Sequence, residues 1–149
     1  KTYLPQSYGH EQFCEDLPEA SEAVFVMEYG HDSLADMLIE FRIIHELSGK
    51  KEFTREKDIE KIDDLESITV AYHPPRREPD VFSITHQFEE PGWYVGIITV
   101  RTLARDETYV AVFPFEVGFT GYRYWPLVAF ALALLGSTLY YDSRRERSA

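Results

Sequence analysis

The chain has 149 residues and a formal net charge of −11, with 26 acidic against 15 basic side chains. That length holds one domain with extensions. The acidity argues against nucleic acid and against adsorption to anionic lipid, and it is compatible with docking onto a basic protein surface. The charge is unevenly spread. Residues 1–123 carry 12 basic and 24 acidic side chains, a sum of −12, whereas 142–149 carry Arg144, Arg145 and Arg147 against Asp142 and Glu146, a sum of +1. Cys14 is the single cysteine, so no intrachain disulfide forms.

Residues 1–22 contain Pro5 and Pro18 and no clear period. They are expected to form an extended arm that orders against a partner. Lys1 opens the sequence, and an extracytoplasmic N-terminus needs a route across the membrane, so removal of a signal peptide is expected. Cys14 is open to three readings: a buried or idle thiol, a metal or redox role, or a bridge between subunits.

Residues 23–118 read as a β-domain. Residues 23–29 form an apolar run closed by Gly30. Met37, Ile39, Phe41 and Ile43 alternate with Glu40 and Arg42, the pattern of a strand with one wet face. Residues 48–51 supply a turn. Residues 54–65 are charge-rich, with Ile59, Ile62 and Leu65 spaced by three, so either a short surface helix or an irregular crossover is expected. Residues 67–73 alternate and are expected to stop at Pro74-Pro75. Residues 81–88 place Phe82, Ile84 and Phe88 on one face. Glu89-Glu90-Pro91-Gly92 is a turn, after which 93–103 and 108–117 form a hairpin across 104–107. Six strands at short spacing predict an all-β sandwich.

Between Arg123 and Asp142 no residue is charged. At about 1.5 Å per residue this run reaches about 27 Å, near the hydrocarbon thickness of a bilayer. Tyr122, Tyr124 and Trp125 stand at one end, Tyr140 and Tyr141 at the other, and arginines follow. A transmembrane helix over 122–141 with a cytoplasmic basic tail at 142–149 is therefore expected. The β-domain then lies on the periplasmic or extracytoplasmic side of the plasma membrane. Ala129, Ala133 and Ser137 recur at every fourth position, with Gly136 beside them, which is a small-residue face suited to packing against another membrane helix.

Metal and catalytic patterns are sparse. His10, His31, His45, His73 and His86 form no spaced ligand motif. By alternation His45 and His86 both face inward. Hydrogen-bonded edge histidines are one reading; a copper site drawing on Cys14, His31, His45 or His86 with Met27 or Met37 is the other. The sequence carries neither a Gly-x-Ser-x-Gly nor a His-Glu-x-x-His motif and no glycine-rich phosphate loop. No enzymatic activity and no cofactor are expected, with copper as the alternative.

The segment Glu90-Pro91-Gly92-Trp93-Tyr94-Val95-Gly96, with the hairpin ending in Phe113-Pro114-Phe115-Glu116-Val117, resembles the closing half of an immunoglobulin-like sandwich. The resemblance implies that Tyr94 packs at the corner entering the penultimate strand. The layout of sandwich, C-terminal helix and basic tail is also similar to the small accessory subunit encoded with copper-dependent membrane monooxygenases. It implies a mainly β, immunoglobulin-like domain on a single transmembrane helix, serving as an accessory subunit of a respiratory, photosynthetic or monooxygenase complex. Its partners would be the membrane and other integral subunits. That subunit's Cys- and Met-rich copper ligand set is represented here only by Cys14, Met27 and Met37.

Overall fold

The fold is described from a computed structural model, which defines residues 1–14, 16–28, 37–77, 81–102, 107–118 and 125–146. The chain divides into two compact units, Lys1–Phe119 and Thr120–Ala149.

Eight strands are found among the described residues of the first unit: β1 (Thr2–Tyr3), β2 (Gln12–Phe13), β3 (Glu22–Met27), β4 (Leu38–His45), β5 (Thr69–Arg76), β6 (Phe82–Gln87), β7 (Gly92–Arg101) and β8 (Thr108–Val117). They build two four-stranded sheets, ordered β2-β1-β3-β6 and β5-β4-β7-β8, in which every neighbouring pair is antiparallel. Alternation along each strand sends one set of side chains between the sheets. Ala23, Phe25 and Phe82 from the first sheet meet Ile39, Phe41, Ile43, Tyr94, Phe115 and Val117 from the second in one buried core. Phe25 is its hub. Its ring lies 5.8 Å from Phe41, 6.2 Å from Phe88 and 5.7 Å from Phe115, in tilted or edge-to-face arrangements.

Gly96 of β7 lies against the ring of its cross-strand partner Phe113. A Cβ at position 96 would stand 2.1 Å from that ring. Only glycine admits the approach, and it lets Phe113 stack on both Phe41 and Phe115.

Two features depart from the expectations. β5 does not stop at Pro74-Pro75 but runs on to Arg76. It is an edge strand, and its register with β4 shifts between His73 and Arg76, so the two prolines sit at an irregularity of the ladder. The N-terminal segment is not a free arm. Leu4 and Leu17 are fully buried, β1 pairs with β3, and Leu17 bridges Val117 of β8 in parallel. It orders against its own domain because it supplies apolar side chains to the core and a cover for one end of the β8 edge. In residues 54–65, open between a short surface helix and a crossover, one helical turn forms, α2 (Glu56–Ile59), after a 3-10 turn (Lys51–Phe53); the four-residue helix α1 (Pro5–Tyr8) lies earlier in the chain. Ile59, Ile62 and Leu65 pack with Ile44, Val95, Ile97 and Val112 in a second cluster on the outer face of the β4-β7-β8 sheet. The three-residue spacing thus marks a lid on that face. The carboxylate of Glu46 fixes its approach, accepting the amides of Ser48 and Gly49 and the hydroxyl of Thr54.

The hairpin expected over 93–117 is present, with β7 and β8 in register from Gly92↔Val117 to Arg101↔Thr108 and with Thr102 N–H donating to the Glu107 carbonyl. Residues 103–106 of its tip lie outside the described residues, as does Gly30.

In the second unit, α3 spans Trp125–Glu146. Leu127, Phe130, Leu132, Leu134 and Leu135 are each more than half exposed along it. Among the described residues, no helix is long and apolar enough to cross a membrane. Uninterrupted apolar side chains run only from Leu127 to Leu135, and Gly136, Ser137 and Thr138 then lower the mean hydropathy. Tyr122 and Tyr124 of the expected span, and Arg147 of the expected tail, lie outside the described residues.

Candidate functional site

Strand alternation divides the sequence-predicted candidates between the two ends of the sandwich. Along β3 and β6 the inward positions are Ala23, Phe25 and Met27, and Phe82, Ile84 and His86, with Ala23 opposite His86 and Met27 opposite Phe82. His86 and Met27 therefore share one face but stand four residues apart in register, about 13 Å along the strand.

At the His86 end, β4 finishes at His45, which pairs with Tyr94 of β7. The rings of His45 and Tyr94 are 4.9 Å apart, Tyr94 is 4.9 Å from Phe88, and Phe88 is 4.7 Å from His86. These four rings floor and wall a cleft of about 400 Å³, with Glu89 and Glu90 also lining it. The turn after β6 places the carboxylates there, because the hydroxyl of Tyr94 donates to the Glu90 carbonyl at 2.8 Å and ties the turn to the start of β7. Burial holds the His86 imidazole below its ordinary range, with the charge of Glu89 opposing it. Burial, and then the charge of Glu90, pushes the Tyr94 phenol up. At neutral pH the cleft thus presents a neutral His86 imidazole and a protonated Tyr94 phenol, with the exposed side chains of Glu89 and Glu90 beside them. Among the described residues, neither imidazole and neither carboxylate has a hydrogen-bond or ion-pair partner. Tyr94 brings the one hydroxyl of these side chains, and it is already engaged. The set is suited to holding a ligand.

At the other end, Cys14 follows β2 and is exposed. Its sulfur accepts a long contact from the Gln12 amide at 3.6 Å. Cys14 and Met27 line one cavity of about 250 Å³, together with Lys1, Phe25, Ile98 and Phe113. Two residues with soft sulfur atoms thus border the same cavity. Met37 stands elsewhere, just before β4, where its sulfur accepts the Thr102 hydroxyl at 3.5 Å. His31 lies outside the described residues. No group of three or more His, Cys, Asp or Glu side chains among the described residues could hold a metal ion. Cys14 and Met27 supply two sulfur donors, and among the described residues no group of three His, Cys, Asp or Glu side chains includes them.

His45 and His86 are therefore brought together, as alternation predicts, and Cys14 meets Met27. The sequence alone does not reveal Glu89 and Glu90 as cleft residues, since paired acids in a turn read as solvated surface. Their position directly between inward-facing His86 and the Pro91-Gly92 turn is the signal that places them at the mouth. On α3, Ala129, Ala133, Gly136 and Ser137 keep the expected spacing. A Cβ on Gly136 would meet nothing within 4 Å, and Ser137 Oγ donates to the Leu134 carbonyl at 2.7 Å.

No protein-family model and no curated protein matches the chain. Among solved structures, the crystal structure of the PmoD soluble domain from Methylocystis sp. ATCC 49242 (Rockwell) matches with a TM-score of 0.64 at 23% identity, covering 78% of this chain and 87% of that one. The first unit thus has the same mainly β architecture of two facing antiparallel sheets as that soluble domain.

Proposed function

We propose that this chain is a non-catalytic accessory subunit of a larger membrane complex, its β-domain bracing the extracytoplasmic face. α3 with its flanks is the anchor in the plasma membrane, and the arginine-bearing C-terminus is cytoplasmic. One observation carries the reading: the sandwich is followed by a helix whose apolar side chains, from Leu127 to Leu135, are exposed. The apolar stretch is short, so the anchor depends on the aromatic residues at both ends lying in the interfaces and on local thinning of the bilayer. The face of Ala129, Ala133, Gly136 and Ser137 is where an integral partner's helix packs. The fold neighbour supports the reading, since it is described as the soluble domain of its protein. We read the sandwich as immunoglobulin-like. The strand orders β1-β3-β6 and β5-β4-β7-β8 and the Tyr94 corner support this. Hosts of the respiratory, photosynthetic or monooxygenase type fit the resemblance. Purification of the native protein in mild detergent, with mass spectrometry of what accompanies it, tests the proposal. Integral membrane subunits in fixed ratio support it, and a monodisperse monomer with no membrane partner defeats it.

A second reading is favoured by the meeting of Cys14 and Met27 at one cavity: a membrane-anchored copper-binding or copper-delivery module. Soft thiolate and thioether donors suit Cu(I). This reading requires copper in the native protein at stoichiometric level and its loss in Cys14→Ala.

A further inference from the structure

We propose that the loop after β4 is seated in the headgroup region of the bilayer, with Leu47 and Phe53 entering the acyl boundary. Leu47 is 68% exposed and Phe53 67%, more than any other large apolar side chain among the described residues of the first unit. The loop displays them in a fixed shape. The Glu46 carboxylate accepts the amides of Ser48 and Gly49 on one limb and the Thr54 hydroxyl on the other, so one closed turn presents both side chains. Lys51 at its tip takes a φ of 53°, a left-handed conformation that residues with a side chain seldom adopt, so the fold holds the tip against its local preference. Lys51 is exposed and has no ion pair among the described residues, which leaves its ammonium for a lipid phosphate while the apolar pair lies deeper. The charge permits the approach. Residues 46–61 carry five basic and five acidic side chains and sum to zero, within the −12 of residues 1–123. This stretch therefore escapes the repulsion that the rest of the domain meets at an anionic surface. Connectivity sets which end of the sheet meets lipid. His45 pairs with Tyr94, and Gly92 with Val117, so β4 and β8 leave the second sheet at the same end. Trp125 opens α3 seven positions after Gly118, a reach of at most about 25 Å. The inference rests on the reading of α3 as the membrane anchor.

The test places the full chain in phosphatidylcholine nanodiscs containing lipid with a nitroxide near the top of one acyl chain, and reads the broadening of proton signals. Leu47 and Phe53 are expected to broaden at least threefold more than Val81 and Tyr109, which are exposed apolar side chains at the opposite end of the sandwich. Leu132 and Leu134 of α3 report the anchor in the same sample. Leu47→Ser with Phe53→Ser is expected to reduce the broadening of the Ser48 and Lys51 amides at least twofold. Both side chains are exposed, so the change leaves the core intact. Broadening of Leu132 and Leu134 without that of Leu47 and Phe53 overturns the proposal, assigns the pair to a protein surface instead and leaves the anchor standing. Equal broadening at both ends of the sandwich, or a double variant as broadened as the parent, overturns it in the same way. No broadening at Leu132 and Leu134 defeats the anchor, and the proposal with it.

Discussion

The hydroxyl of Tyr94 donates to the carbonyl of Glu90 at 2.8 Å, closing the Pro91-Gly92 turn onto the first residues of β7. This bond joins fold and cleft, since it fixes a core ring that also stacks on Phe115 and aligns the turn that carries Glu89 and Glu90. Tyr94→Phe keeps the ring and leaves the carbonyl without its partner. A loss of about 1–2 kcal/mol of unfolding free energy is expected in urea titrations. An unchanged midpoint would show that the corner is held by packing alone.

Gly96→Ala is expected to destabilise by about 1–3 kcal/mol, because the new methyl would stand within the ring of Phe113. That ring is stacked between Phe41 and Phe115 and has no free direction of retreat. The reduced freedom of the unfolded chain returns only about 0.4–1 kcal/mol. An alanine variant as stable as the parent would contradict this packing.

Phe25→Ala removes the ring that meets Phe41 and Phe115 of the facing sheet and Phe88 just after β6. The expected cost is about 3–5 kcal/mol. Thermal unfolding measures it, and a drop of only a degree or two would mean that the sheets close the gap.

Burial holds the His86 imidazole below its unfolded value of about 6.5. The unfolded chain therefore takes up this proton first as pH falls. The stability is present above pH 6.5 and is lost as pH drops through that value toward the lower folded one. His86→Gln is expected to flatten this part of the profile relative to the parent between about pH 7.5 and 5. Parallel profiles for parent and variant would remove His86 as the cause.

Much of the sandwich is legible in the sequence because strand alternation is a local signal. Ile39, Phe41 and Ile43 face the core as their spacing predicts, and the same parity brings His45 and His86 to one end. What is not legible depends on contacts distant in sequence. Pro74 and Pro75 read as a stop, yet β5 passes through them because it lies at an edge and its register with β4 shifts there, which are properties of the whole sheet. Leu4 and Leu17 lack a period, yet they are buried because β3 and β8 offer them partners. The meeting of Cys14 with Met27 likewise depends on β1 pairing both β2 and β3.

The proposed placement of the β-domain follows from where the C-terminal helix resides. Membranes from cells producing the full chain should be washed with alkaline carbonate, and the pellet compared with that from a chain ending at Gly118. The full chain is expected to stay with the pellet until detergent is added, and the shortened chain to wash away. Release of the full chain by carbonate alone would contradict the anchor, and with it the extracytoplasmic placement and the membrane partners.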